Sequence, residues 1–304
     1  MSLIILGSVA FDALETPFGK TDKIVGGAAS YAAIAASYLH KQVKIIGVVG
    51  EDFGEENLRK FTDHHIDISG IQIKKGEKSF FWSGRYHNDM NTRDTLVTEL
   101  NVLGDFDPII PDSYQGAEYL LLGNLSPQVQ LTALNRLRHR PKLIVLDTMN
   151  FWMNIALDEL KEVLKKVDVL TINDEEARQL SGQFSLVKAA DIILKMGPKY
   201  LIIKKGEHGA LLFGEHKIFS APALPLAEVF DPTGAGDTFA GGFIGYLASV
   251  DVLDFESMKS AVIFGSALAS FCVEKFGVER VENLNIHDIN ERVQLFSSLT
   301  SFNI

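Results

Sequence analysis

The 304-residue chain contains one cysteine, two tryptophans and more acid than base. A lone thiol closes no internal disulfide and builds no multi-thiolate metal site, so a reducing, cytoplasmic setting is expected. Cys272 lies in Ala269-Ser270-Phe271-Cys272-Val273 and reads as a core filler. No segment reaches the roughly 18 uninterrupted apolar residues of a membrane helix, so no membrane partner is expected. Leu3-Ile4-Ile5-Leu6 lacks a basic flank and runs into Gly7, as a first strand does and a signal peptide does not. Lys plus Arg number 29 against 39 Asp plus Glu, a net charge of −10. That surplus repels phosphate backbones and argues against a nucleic-acid partner. Small anionic ligands stay admissible, because a helix N-terminus binds them locally.

What is present reads as one globular α/β domain over residues 1–304, with no repeat and no dividing linker. Continuous apolar runs recur at 3–9, 43–49, 119–122, 143–146, 167–172 and 200–203. Unbroken runs, as opposed to polar/apolar alternation, mark strands buried on both faces of a parallel sheet. Between them apolar residues recur at helical spacing, as in Ala32, Ala35, Ala36 and Leu39. This alternation predicts a mostly parallel sheet covered by helices on both faces. Residues 10–24 and about 71–100 break the rhythm, and Phe80-Phe81-Trp82-Ser83-Gly84-Arg85-Tyr86 reads as strand. The two segments are expected to form a small β lid over the site, or a flange that packs or makes a homodimer contact.

Several motifs fail. Gly19-Lys20-Thr21 imitates a P-loop, but Leu14 stands where the loop needs its first glycine. Gly234-Ala235-Gly236 begins a dinucleotide fingerprint, but Phe239 occupies the third glycine position. The informative stretch is Asp231-Pro232-Thr233-Gly234-Ala235-Gly236-Asp237-Thr238. An apolar helical face starts near Thr238, and the proline and glycines argue against an earlier start. Gly234, Ala235 and Gly236 then present backbone N–H groups at a helix N-terminus, a pocket for charge on a transferring phosphoryl group. Asp237 beside it can accept the proton of an attacking hydroxyl. Taken singly, an aspartate there serves equally as a helix cap.

Asp231 to Gly242 resembles the C-terminal signature of the ribokinase/PfkB carbohydrate-kinase family, which includes sugar and nucleoside kinases. The resemblance continues in Gly26-Gly27-Ala28-Ala29-Ser30-Tyr31-Ala32, in Gly47 to Gly54, in Asn173-Asp174-Glu175-Glu176 (an Asn-x-x-Glu motif) and in Lys205-Gly206-Glu207-His208-Gly209. It implies a ribokinase-like three-layer sandwich with a β lid, and an ATP- and Mg²⁺-dependent kinase acting on a sugar or nucleoside. Residue by residue it implies Asp237 as catalytic base and Gly234, Ala235 and Gly236 as anion hole. Asn173 and Glu176 would organise the Mg²⁺-phosphate end, Glu176 through water, and Lys205 and Gly206 would border the nucleotide. Asp12, Gly26 and Gly27 would meet the substrate. Asp231 and the Thr233 carbonyl resemble a monovalent-cation site, for which K⁺ is the candidate.

Two departures bear on the substrate. Tyr31 stands where sugar-phosphorylating relatives show asparagine, and Ala10 stands where ribokinase shows asparagine before its substrate aspartate. Tyr31 offers a ring and one hydroxyl, which favours a nucleoside over a free sugar. The lid aromatics Phe81, Trp82 and Tyr86 point the same way, and Arg93 could reach the transferred phosphate from the lid. Asn and Glu three apart at a helix start also make an ordinary capping pair. The second reading is a non-catalytic nucleotide- or sugar-binding regulatory protein on the same fold.

Overall fold

A computed structural model describes residues 1–301. In chain order the strands are β1 (Leu3–Leu6), β2 (Ala10–Thr16), β3 (Gly19–Lys20), β4 (Ile24–Gly26), β5 (Val43–Gly50), β6 (Asp67–Lys74) and β7 (Phe80–Tyr86). They continue with β8 (Arg93–Glu99), β9 (Tyr119–Leu122), β10 (Leu143–Asp147), β11 (Val169–Asn173), β12 (Tyr200–Lys204), β13 (Ala210–Gly214) and β14 (Lys217–Ala221). The main sheet runs β14-β13-β12-β11-β10-β9-β1-β5-β6. It is parallel from β6 to β12. The β13–β14 hairpin adds an antiparallel edge that the sequence reading did not foresee.

Alternate residues of each buried strand feed two separate cores. In β1, Leu3 and Ile5 join a core with the helices Ala28–Ser37, Ala235–Val250 and Phe255–Cys272. Ile4 and Leu6 join the opposite core, against Leu157–Leu164 and Leu186–Ile193. Three layers result, as the unbroken apolar runs require. From β1 the chain moves outward to β5 and β6, then returns to β9 and proceeds through β12. The order therefore reverses beside β1, and the crevice at the C-terminal strand ends there is the usual ligand position in an open α/β sheet.

The lid sheet runs β3-β2-β7-β8, with β4 paired to β2. Its boundaries differ from the expected ones. β6 pairs in parallel with β5 as far as Lys74, so residues 71–74 belong to the main sheet, and the second lid piece starts at Phe80. β6 is an edge strand with a largely accessible face, which hid it among polar residues. The first piece extends through β4 to Gly26. β8 is exposed along all seven residues and forms the free edge of the lid.

One helix begins earlier than the sequence suggests. Gly234 adopts the left-handed conformation at φ 75°, and the helix starts at Ala235, three residues before Thr238. Left-handed Gly234 caps the helix in a conformation that a Cβ would penalise, and the small residues after it fit the first turn. This helix lies unusually close to Ala28–Ser37: a Cβ on Gly241 would stand 2.1 Å from the Ala32 carbonyl oxygen. Contact of backbone on backbone fixes the glycine motif against the signature turn. Gly241→Ala is expected to lower stability by about 1–3 kcal/mol through overpacking. In an unobstructed helix the same exchange gains about 1 kcal/mol. Urea unfolding distinguishes the two signs.

Candidate active site

The strand ends bring together one cation and several carboxylates. β10 ends on Asp147 and β12 on Lys204, and Lys204 Nζ donates to Asp147 Oδ2 at 2.9 Å. Both side chains are largely withdrawn from solvent. A Cβ on Gly236 would lie 3.0 Å from Lys204 Nζ, so the ammonium sits beside the glycine turn. Burial alone would lower the Lys204 pKa, but Asp147, Glu176 and Asp237 together hold it above its ordinary value. Lys204 and Asp147 were not singled out from the sequence as site residues. Their signal is positional: each is the polar last residue of a buried strand at the ligand end of the sheet. Lys205 follows in the next turn. Its N–H donates to the Gly209 carbonyl at 2.7 Å, closing the turn that carries Gly206 at φ 53°.

Asn173 and Glu176 form a complete capping box. Glu176 N–H donates to Asn173 Oδ1, and Asn173 N–H donates to Glu176 Oε2, both at 2.8 Å. The structural role of this pair is therefore filled, and Glu176 still feels the site. Burial pushes its pKa up to about 7, while Lys204 opposes the shift.

Asp237 lies in the first turn of the helix that Gly234 caps. Burial, and then the charge of Asp147, push its pKa up to about 7, while Lys204 and Arg93 pull it down. Asp12, on β2, is pushed up to about 8 by burial and by Asp231 and Asp237. Asp231 is fully buried. Its Oδ1 accepts from Thr233 N–H and its Oδ2 from Gly277 N–H, each at 2.9 Å. The Thr233 carbonyl accepts the Cys272 thiol at 3.5 Å, so the core cysteine touches the signature loop.

The N-terminal glycines are needed sterically. A Cβ on Gly26 would stand 1.9 Å from Asp12 Oδ2, and one on Gly27 would stand 2.5 Å from the Ser8 carbonyl oxygen. Tyr31 is 1% exposed, and a Cβ on Gly234 would strike its ring at 2.4 Å. The ring is thus spent on the signature turn. Its buried hydroxyl finds no protein partner among the described residues.

The lid reaches this cluster from above. Trp82 lies over Gly84, where a Cβ would meet the ring at 2.2 Å, and its indole N–H donates to Thr95. Tyr86 follows two residues further on the same face and pairs in register with Arg93. The Arg93 guanidinium stands 5.6 Å over the Trp82 ring, and its charge is felt at Asp12, Asp237 and Glu176. Phe81 points the other way, into the core. Asn91, at the lid tip, comes within 3.5 Å of where a Cβ on Gly206 would stand. Asp12, Asp237, Glu176, Lys204 and Arg93 are therefore close enough for their charges to act on one another in overlapping pairs.

A family model described as pfkB family carbohydrate kinase matches residues 7–283. The cytidine kinase of Thermococcus kodakarensis is 34% identical over 251 residues, covering 80% of this chain and 87% of that protein. The nucleoside kinase of Methanocaldococcus jannaschii has a similar fold, with a TM-score of 0.76 at 22% identity over 97% of this chain and 99% of its own. An Escherichia coli structure in complex with ATP and Mg²⁺ has a TM-score of 0.80 at 20% identity, over 97% and 99%.

The raised carboxyl pKa values set a pH dependence of stability. Where the folded state binds more protons than the unfolded state, stability falls as pH rises. Asp12, Asp237 and Glu176 hold protons in the fold well above their unfolded values. The melting temperature of the ligand-free protein should therefore fall between about pH 5 and about pH 8. Asp12→Asn should flatten that slope, and thermal scans across pH read both.

Proposed function

Because the chain belongs to the pfkB family of carbohydrate kinases, we propose that it transfers the γ-phosphoryl group of ATP to a hydroxyl of a nucleoside. The observation that supports this reading most is the convergence of Lys204, Asp237 and the Gly234–Gly236 backbone at one helix N-terminus, under a lid that carries Arg93. Phosphoryl transfer has a loose transition state, so catalysis is mostly positioning and charge stabilisation. The N–H groups of the glycine turn and the Lys204 ammonium stabilise charge on the moving group. Asp12 orients the acceptor hydroxyls. Asp237 aligns the attacking hydroxyl and takes its proton late, which requires the ionised carboxylate. Turnover should therefore rise with pH through the range near neutrality.

The donor set suits a hard divalent cation. Asp147 and Glu176 supply carboxylate oxygens, and the capping bond occupies Oε2 of Glu176, leaving Oε1 for a hydrated ion. Mg²⁺ bound there would neutralise phosphate oxygens of the nucleotide. Lys205 and Gly206 border the nucleotide at the far end of the crevice. Asp231 and the Thr233 carbonyl would hold K⁺, and equal turnover in K⁺ and Na⁺ would remove that assignment.

The preference for a nucleoside over a free sugar is supported by Trp82. Seated on Gly84 on the site side of the lid, it offers an aromatic face that a nucleobase can use and a free sugar cannot. The similarity to a cytidine kinase agrees with this choice. The test is ADP release from ATP and Mg²⁺ over a panel of nucleosides and sugars, wild type beside Asp237→Asn. The expected result is nucleoside-dependent turnover that falls at least 100-fold in the variant, within the range for loss of a general base. Near-normal turnover in the variant would remove Asp237 as base, and a response to free sugars alone would reverse the substrate class.

A further inference from the structure

One hydrogen bond joins the lid to the catalytic turn. Thr233 Oγ1 donates to the Tyr86 phenol oxygen at 3.0 Å. Tyr86 is the last residue of β7 and is 6% exposed, while Thr233 is half-buried. Thr233 immediately precedes Gly234, whose left-handed conformation opens the anion turn. The body of the protein holds Thr233 at two other points. Its N–H donates to Asp231 Oδ1 at 2.9 Å, and its carbonyl accepts the Cys272 thiol at 3.5 Å. Tyr86 supplies the third anchor, and it alone comes from the lid. The same residue faces Arg93 across the β7–β8 pair.

Resting on the kinase reading, we propose that Tyr86 is a positioning residue for phosphoryl transfer. With the lid in place its hydroxyl fixes Thr233, and through Thr233 the direction of the Gly234–Gly236 donors. The anion turn is then fully aligned only when the lid covers the acceptor. An open lid leaves Thr233 with two anchors and the donors free to rotate away. This arrangement favours transfer to the enclosed acceptor over transfer to water.

Tyr86→Phe removes only the oxygen. The expected result is a kcat lowered at least about 3-fold, since the phenol oxygen loses Thr233 and also its contact with the Arg93 guanidinium. The acceptor KM should change less than about twofold, and the melting temperature should stay near wild type. Thr233→Val leaves the Arg93 partner of Tyr86 in place and should lower kcat by no more than Tyr86→Phe does. The double variant should lose no more than Tyr86→Phe alone, because the phenol oxygen is the shared partner. Fully additive losses, or a wild-type kcat in Tyr86→Phe, would overturn the proposal.

A second readout does not depend on turnover. Amide hydrogen exchange over residues 233–238 should be faster in Tyr86→Phe than in wild type. Unchanged exchange there would overturn the coupling even in an active enzyme. Faster exchange in a protein that phosphorylates nothing on the panel would leave the coupling standing and overturn the kinase reading instead.

Discussion

Crowding of buried negative charge at the strand ends governs this structure. Asp12, Asp147, Glu176, Asp231 and Asp237 gather around the helix N-terminus, and Lys204 is the buried cation among them. Desolvation and mutual repulsion make that arrangement unfavourable in the ligand-free protein. The elevated proton affinities of Asp12, Glu176 and Asp237 are its direct consequence. The cluster is short of positive charge, and a hydrated divalent cation is the kind of ligand that would relieve it. Arg93 adds a cation from the lid, and its charge lowers the proton affinity of Asp12, Asp237 and Glu176.

That crowding is held by close backbone packing more than by side chains. Gly26 lets the Asp12 carboxyl lie against the main chain, and Gly234 lets the Tyr31 ring press on the signature turn. Gly241 brings two helices within backbone contact, so the N-terminal glycine motif and the C-terminal signature are registered against each other. A side chain at Gly26 would displace the Asp12 carboxylate, one at Gly234 the Tyr31 ring, and one at Gly241 the Ala32 backbone.

Much of this was legible in the sequence, and the omissions have physical causes. Apolar runs gave the parallel strands, because burial on both faces leaves a composition that no loop shares. β6 escaped notice because an edge strand faces solvent and borrows the composition of a loop. The start of the helix at Ala235 was misjudged because glycine was read as a breaker, when its left-handed conformation makes it a cap. The glycine turn and Asp237 stand out in the sequence because they are contiguous and open a helix. Lys204 and Asp147 were overlooked because their role arises from strands that lie far apart in sequence and meet only in the sheet.

The parallel pairing of β2 with β7 has a bearing on how the molecule is made. Ala10 meets Phe80, so 80 − 10 = 70 positions of chain must be spanned before the lid has its central pair. No tight turn can join parallel neighbours, and the entropy of closing so long a loop must be met in advance. The intervening chain forms the helix Ala28–Ser37 and the strands β5 and β6, which belong to the main body. Once these have docked on β1, the effective loop is far shorter. The β2–β7 pair is thus the long-range step in building the lid, beside the local pairs of β2 with β3 and β4, and a chain interrupted before residue 80 carries β2 without its parallel neighbour.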